Sequence, residues 1–381
     1  MAVKFRFSES FVIDTDKAPW NVEGLRFCLF GGPGSGKSWT AQLIAEQFLS
    51  QGGTVVIFQP RDEYFTLRER FADILCVGGV YAKDLDFVPA APATYAKAIV
   101  ESGISTVFYT SDVDNEEKLI EFTSKLIGYI LKYQELHKRP ILLILEECQE
   151  YAPKSPSGHT APAWVYSRMI KAFKDCFLQG RKLNVSTVAI SQRPQEVNFT
   201  VRQLANLTFY GKFSPQDIGY IERECLKWYR ERGVSVDSSR LLELEAGEWL
   251  IIHGANAEYI KVTEPRITKH AAITPKLEYV APRRKEAKRT ISQLAEEIQQ
   301  ILEKEKLEES ELEKAKRRVS ELESRVAELQ EKLKVKETLT EIFSGVKVNG
   351  ELKERIFELE KRLKELESEN VALRAEVEKN R

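Results

Sequence analysis

No run of about 18 apolar residues occurs in the 381-residue chain, which excludes a hydrophobic membrane-spanning helix. The opening stretch MAVKFRFSESFVID lacks the apolar core of a secretion signal, so a soluble, cytoplasmic chain without a membrane partner is expected. The five cysteines (Cys28, Cys76, Cys148, Cys176 and Cys225) form no CxxC pair, and the four histidines (His137, His159, His253 and His270) form no ligand-spaced cluster. Free thiols are expected, and a zinc site is not. Charge of one sign is lacking too: 57 Lys+Arg against 58 Asp+Glu give a net −1, so any surface for nucleic acid must be a local patch.

To about Glu278, short β-rich runs alternate with amphipathic helical stretches, the pattern of a sheet covered on both faces. The expected strands are Leu25 to Phe30, Thr54 to Phe58, Ser105 to Thr110, Ile141 to Leu145, Val185 to Ser191 and Leu207 to Gly211. Helices are expected at Ser38 to Ser50, Glu116 to Leu136 and Ser167 to Gln179, and Glu248 to His253 with Ala257 to Val262 reads as a hairpin or sheet extension.

After the basic linker APRRKEAKR (Ala281 to Arg289) the grammar changes. Aliphatics recur at heptad a (Ile291, Ile298, Leu312, Val319, Val326, Leu333) and d (Leu294, Ile301, Ala315, Leu322, Leu329), broken by Glu305, Glu308 and Lys336. This predicts roughly 45 residues, or about 70 Å, of coiled coil. Gly345 and Gly350 interrupt it. A second, zipper-like seam follows, with d residues Leu352, Leu359, Leu366 and Leu373 and a residues Ile356, Leu363, Asn370 and Val377. The expected organisation is an α/β domain over 1–280, a linker over 281–290, coiled coils over 291–343 and 351–381, and a break over 344–350. A hairpin, self-pairing and capture of a partner protein's helix all satisfy the seams.

The stretch GGPGSGKS, Gly31 to Ser38, fits G-x-x-x-x-G-K-[ST] between a strand and a helix. Backbone N–H groups of Gly31, Gly32, Pro33, Gly34, Ser35 and Gly36 (proline excepted), with Lys37, Ser38 and Trp39, make an ATP site. Lys37 reaches the β- and γ-phosphates and Ser38 holds Mg²⁺. The run ILLILEECQEYAP then ends a buried strand on Glu146 and Glu147. A hard cation wants a carboxylate beside the phosphates, which Glu146 supplies where aspartate is usual. Glu147 projects at another angle and is placed to polarise the attacking water. Capping of the next helix is the plainer use of both acids. About 110 residues and two expected strands separate Lys37 from Glu146, the arrangement of P-loop ATPases with an added strand and a catalytic glutamate rather than of kinases or small GTPases. Gln192 ends the next strand as a candidate γ-phosphate sensor, and Arg181, before that strand, is a candidate finger for a neighbouring subunit.

In order and spacing, GGPGSGKS, VVIFQPRDEYFTL, LLILEECQEYAP, FLQGRKLNVSTVAISQRPQEV and QLANLTFYGKF resemble the HerA/FtsK superfamily of DNA-pumping ATPases over roughly Gly24 to Glu264. The resemblance implies an α/β, RecA-like fold with a mostly parallel sheet and a hexameric ring around double-stranded DNA. It also implies Glu146 as Walker B acid, Glu147 as catalytic base, Gln192 as sensor and Arg181 as trans-acting finger. HerA proteins carry a β-barrel ahead of the phosphate loop, whereas about 30 residues precede Gly31 here, and the coiled coil lies at the other end. PKSPSGHTAP, Pro153 to Pro162, is a candidate pore loop with Lys154 as a phosphate contact. A nucleotide-switched scaffold that recruits a partner through its coil is the competing reading. An ABC or SMC-type ATPase ranks behind it, for want of an LSGGQ-like signature.

Overall fold

The computed structural model describes residues 3–269, 282–342 and 350–379. By contact density the chain divides into two units, 1–299 and 300–381. In the first, a hairpin of β1 (Lys4–Arg6) and β2 (Val12–Asp14) and a short helix α1 (Trp20–Glu23) precede a nine-stranded sheet. Its strands are β3 (Arg26–Phe30), β4 (Thr54–Gln59), β5 (Leu75–Val77), β6 (Thr106–Tyr109), β7 (Ile141–Leu145), β8 (Val185–Ser191), β9 (Leu207–Tyr210), β10 (Glu248–His253) and β11 (Asn256–Lys261). The order is β11-β10-β9-β3-β8-β7-β4-β6-β5, parallel from β9 to β5, with β10 and β11 added antiparallel. The predicted strands agree with the observed ones to within a residue at each end. The sequence reading missed β1, β2 and β5, each three residues long and too short to carry a period.

The β7 run Ile141–Leu145 is buried throughout because helices cover both faces of the sheet. One face carries α2 (Lys37–Ser50) and the hairpin, and a shared core joins Phe5, Phe7 and Ile13 to Phe27, Leu29, Ile44, Phe48, Ile57 and Ile144. The other carries α3 (Pro92–Lys97), α4 (Glu116–His137), α5 (Ala163–Leu183), α6 (Phe199–Leu204), α7 (Pro215–Tyr220) and α8 (Lys227–Arg230). There Phe108 meets Phe58 at 5.2 Å and Phe122 at 5.3 Å. The helix α4 starts where the sequence offers a cap: the Asn115 side chain accepts from Lys118 N–H at 2.9 Å, with Glu116 and Glu117 in the first turn. The five cysteines are free and buried. Among the described residues no helix is long and apolar enough to cross a membrane.

The hairpin is held to α2 by side chains. Gln51 accepts from Lys4 N–H and donates to Lys4 C=O, both at 2.8 Å, and Gln47 does the same for Arg6 at 2.7 Å.

The long helix α9 (Lys285–Ile342) begins ahead of the expected Ile291, and α10 (Gly350–Lys379) follows. The linker's Arg283 is fixed to the first unit, donating to Ala72 C=O at 3.1 Å, Ile74 C=O at 2.8 Å and the Asp84 carboxylate at 2.8 Å. Both helices are least exposed along the aliphatic seams: Leu294, Ile298, Leu322 and Leu366 are buried, whereas Phe357 and Val371, off the seams, stand 71% and 68% exposed. The expected break at 344–349, linker residue Ala281 and the side chains of Lys336, Leu352, Ile356, Asn370, Leu373 and Val377 lie outside the described residues.

A buried ion pair ties the strap after β11 to α2. Glu46 and Arg266, 2% and 3% exposed at the side chain, meet at 3.0 Å, and Glu46 also accepts the N–H groups of Ile267 (2.8 Å) and Thr268 (3.2 Å). Removing one partner strands the other charge, so Glu46→Ala is expected to cost about 3–5 kcal/mol of unfolding free energy in urea titration, while replacing both by apolar residues recovers most of it.

Candidate functional site

Parallel strands bring their C-terminal ends to one edge of the sheet. Phe30 pairs with Ser191, and Leu145 with both Ala189 and Phe58, so Gly31 and Gln192 emerge together at that edge, two residues beyond Glu146 and Gln59. Together they border a cleft of about 580 Å³ lined by Pro33, Gly34, Gly36, Lys37, Ser38, Trp39, Gln59, Arg61, Glu63, Tyr64, Glu146, Glu147, Gln192, Ala246, Gly247 and Val262.

The glycine loop is shaped by its neighbours. Gly36 has φ +93°, and a Cβ there would stand 3.0 Å from Gly247 N, whose N–H donates to Ser35 C=O at 3.1 Å. A side chain at position 36 meets both backbone strain and a clash. Lys37 is buried and donates to the carbonyls of Gly31 (2.7 Å) and Gly32 (2.8 Å). Burial lowers its pKa, against the pull of Glu147 and Glu146. Among the residues expected to hold nucleotide, Gly31, Gly32 and Ser35 build the loop behind the cleft, and the rest line it.

The two acids leave β7 in different states. Glu146 is buried, its N–H bonded to Phe58 C=O at 3.0 Å, and its Oε1 accepts the Tyr64 hydroxyl at 2.5 Å. Burial pushes its carboxyl up, the Tyr64 bond opposes, and Glu63 and Glu147 add to the rise, leaving it at about 7. A carboxyl so reluctant to ionise, in one cleft with the Ser38 hydroxyl, suits a hard divalent cation whose charge would offset that cost; the donor set fits Mg²⁺. Glu147 turns into the left-handed region at φ +49° and opens a 3₁₀ turn over Cys148–Glu150. Its Oε1 accepts from Gln192 at 2.6 Å and its Oε2 from Gln149 at 2.9 Å. Gln192 and Glu147, separate in the sequence, are thus one hydrogen-bonded unit.

Arg181 stands apart. It is exposed in the last turn of α5, against Gly24 at the strand-starting edge of the sheet, opposite the cleft of its own chain. Lys154 is engaged, with its ammonium 3.2 Å from the Tyr220 hydroxyl and 5.3 Å from that ring's centre. The rest of the candidate pore loop is clamped by Glu116, which accepts from Thr160 N–H (2.7 Å), Ala161 N–H (3.1 Å), Tyr166 OH (2.6 Å) and pairs with His159 (2.8 Å). Burial alone would raise the Glu116 carboxyl, but donors from Thr160, Tyr166 and His159 outweigh it and hold it down to about 2.

Sequence reading had passed over Gln59, Glu63 and Tyr64, which lie in the quoted segment VVIFQPRDEYFTL, and over Ala246, Gly247 and Val262, which reach the cleft from the β10–β11 end. A polar Gln ending an apolar strand, as in Gln192, was the available signal for the first of these.

Residues 21–174 match the family model described as helicase HerA, central domain. No curated protein matches the chain. Among solved structures, the genome packaging NTPase B204 of Sulfolobus turreted icosahedral virus 2, in complex with ATP-gammaS, aligns at 12% identity over 62% of this chain and 96% of that one, with a TM-score of 0.40. VirB4 of Thermoanaerobacter pseudethanolicus aligns at 14% identity over 69% and 97% (TM-score 0.49). The plasmid coupling protein TrwB, in complex with ADP and Mg²⁺, aligns at 11% over 70% and 89% (TM-score 0.44).

The raised Glu146 carboxyl sets a pH dependence. Between the ordinary 4.5 and about 7 the folded chain holds a proton that the unfolded chain has released, so metal-free protein loses stability as pH rises through that window. Urea midpoints measured in chelator at about pH 5 and about pH 8 are expected to fall between the two, and Glu146→Gln to flatten the difference.

Proposed function

We propose that the first unit, part of which matches the central-domain model of helicase HerA, is a P-loop ATPase domain of the HerA/FtsK type and an ATP-driven motor that moves double-stranded DNA, working as a ring of six copies. One observation carries the reading: a glutamate pair at the end of β7, in one cleft with the phosphate loop, with the second glutamate bonded to Gln192. In this reading the loop N–H groups and Lys37 bind the phosphates, and the Trp39, Gly247 and Val262 end of the cleft takes the base. Ser38 and Glu146 hold Mg²⁺, which screens the phosphate charge. Glu147 accepts the proton of the attacking water, and Gln192, bonded to it, links γ-phosphate occupancy to that base. Arg181 acts on the neighbouring subunit, since it lies across the sheet from its own cleft.

A scaffold reading is favoured by α9 and α10, 58 and 30 residues long with aliphatic seams, which fit a coiled-coil module for self-association or for a protein partner. In that reading nucleotide state controls association and turnover is slow.

Glu147→Gln is expected to keep ATP binding while lowering turnover by about 10²–10⁴-fold. Arg181→Ala is expected to cut turnover with ATP binding intact, and to be rescued in mixed assemblies with Glu147→Gln subunits that retain Arg181. Steady-state hydrolysis with and without duplex DNA separates the readings: the motor requires stimulation by DNA, and indifference to it favours the scaffold. Light scattering on the full chain and on a truncation near Arg289 reports whether the coil drives assembly.

A further inference from the structure

A glutamate at the metal position has one more rotatable bond than an aspartate, and so more ways to miss the ion. We propose that Tyr64 is the positioning residue that removes this freedom, and that the turn carrying it exists to lock Glu146 in a metal-ready geometry; the proposal rests on the reading of Glu146 as the Mg²⁺ acid. The Tyr64 ring is fully buried and its hydroxyl donates to Glu146 Oε1 at 2.5 Å, leaving the second oxygen for the cation. The turn is fixed from behind. Gln59, 2% exposed at the end of β4, accepts the N–H of Glu63 at 2.9 Å and of Tyr64 at 3.0 Å, which starts the 3₁₀ helix Tyr64–Glu69. The strands β4 and β7 are paired neighbours, with Glu146 N–H on Phe58 C=O. A closed circuit therefore runs from the β4 backbone through the Gln59 amide, the Tyr64 backbone, its ring and hydroxyl, to the Glu146 carboxylate and back through the ladder.

Both ends of the carboxylate arm are thus referenced to one rigid pair of strands. An aspartate at position 146 would fall short of the hydroxyl, so Tyr64 and the longer acid are matched parts. Hydrogen bonds that orient metal ligands typically contribute 10–100-fold to metal affinity.

The test is Tyr64→Phe, which keeps the ring and removes only the hydroxyl, beside Glu146→Asp and the double variant. Two readouts are used: the Mg²⁺ concentration for half-maximal ATP hydrolysis, and the Mg²⁺-dependent tightening of a fluorescent ATP analogue. Tyr64→Phe is expected to raise both Mg²⁺ requirements by about 10-fold or more. In the Glu146→Asp background the same substitution is expected to change neither. An unchanged Mg²⁺ requirement in Tyr64→Phe, with only a lowered thermal midpoint, overturns the proposal and leaves Tyr64 a filler of the core. An equal effect in both backgrounds also overturns it. Wild-type chain that binds no ATP analogue at all would instead overturn the underlying ATPase reading.

Discussion

Four adjacent parallel strands whose C-terminal ends share one edge of the sheet are the constraint on which the site depends. A parallel register leaves no choice about which residues face each other: Phe30 lies beside Ser191 and Leu145 beside both Ala189 and Phe58, so Gly31 and Gln192 arrive at the rim together, two residues beyond Glu146 and Gln59. The two faces pack against different helices, so a slip by one residue would send each strand's side chains into the opposite layer. Glycine loop, acids and amides are therefore not gathered by contacts with one another. They are delivered by the core.

What the rim delivers is mostly charge of one sign, and the neighbours manage it. Glu146, Glu147 and Glu63 share the cleft with Lys37 and Arg61. Burial and the neighbouring acids raise the Glu146 carboxyl to about 7, and amides, which carry no charge, hold both oxygens of Glu147. Glu146 and Glu147 are thus held by one hydroxyl and two amides.

Legibility of the sequence followed the range of the contact. The strands were readable because β-branched and aliphatic runs bounded by glycine and polar residues are a local signal, and the Gly31–Ser38 loop because its geometry is encoded in consecutive residues. The pairing of Glu147 with Gln192 was half readable: each polar residue ended a strand, but only the fold joins them. Tyr64 was not readable, since its partner lies 82 residues away and an aromatic in an amphipathic stretch reads as core. The N-terminal hairpin failed for another reason. Its three-residue strands pack phenylalanines under the sheet, and so brief an alternation carries no weight alone.

That hairpin also shows how a helix can finish what strands usually finish. A carboxamide offers one donor and one acceptor with nearly the spacing of a peptide group. Gln47 in the last turn of α2 and Gln51 just past its end therefore present to Arg6 and Lys4 what two alternate residues of a neighbouring strand would present. The inner rim of β1 is closed by imitation. A polypeptide edge that would otherwise invite another chain is spent on the helix that follows the phosphate loop, and the underside of the domain is sealed without lengthening the sheet.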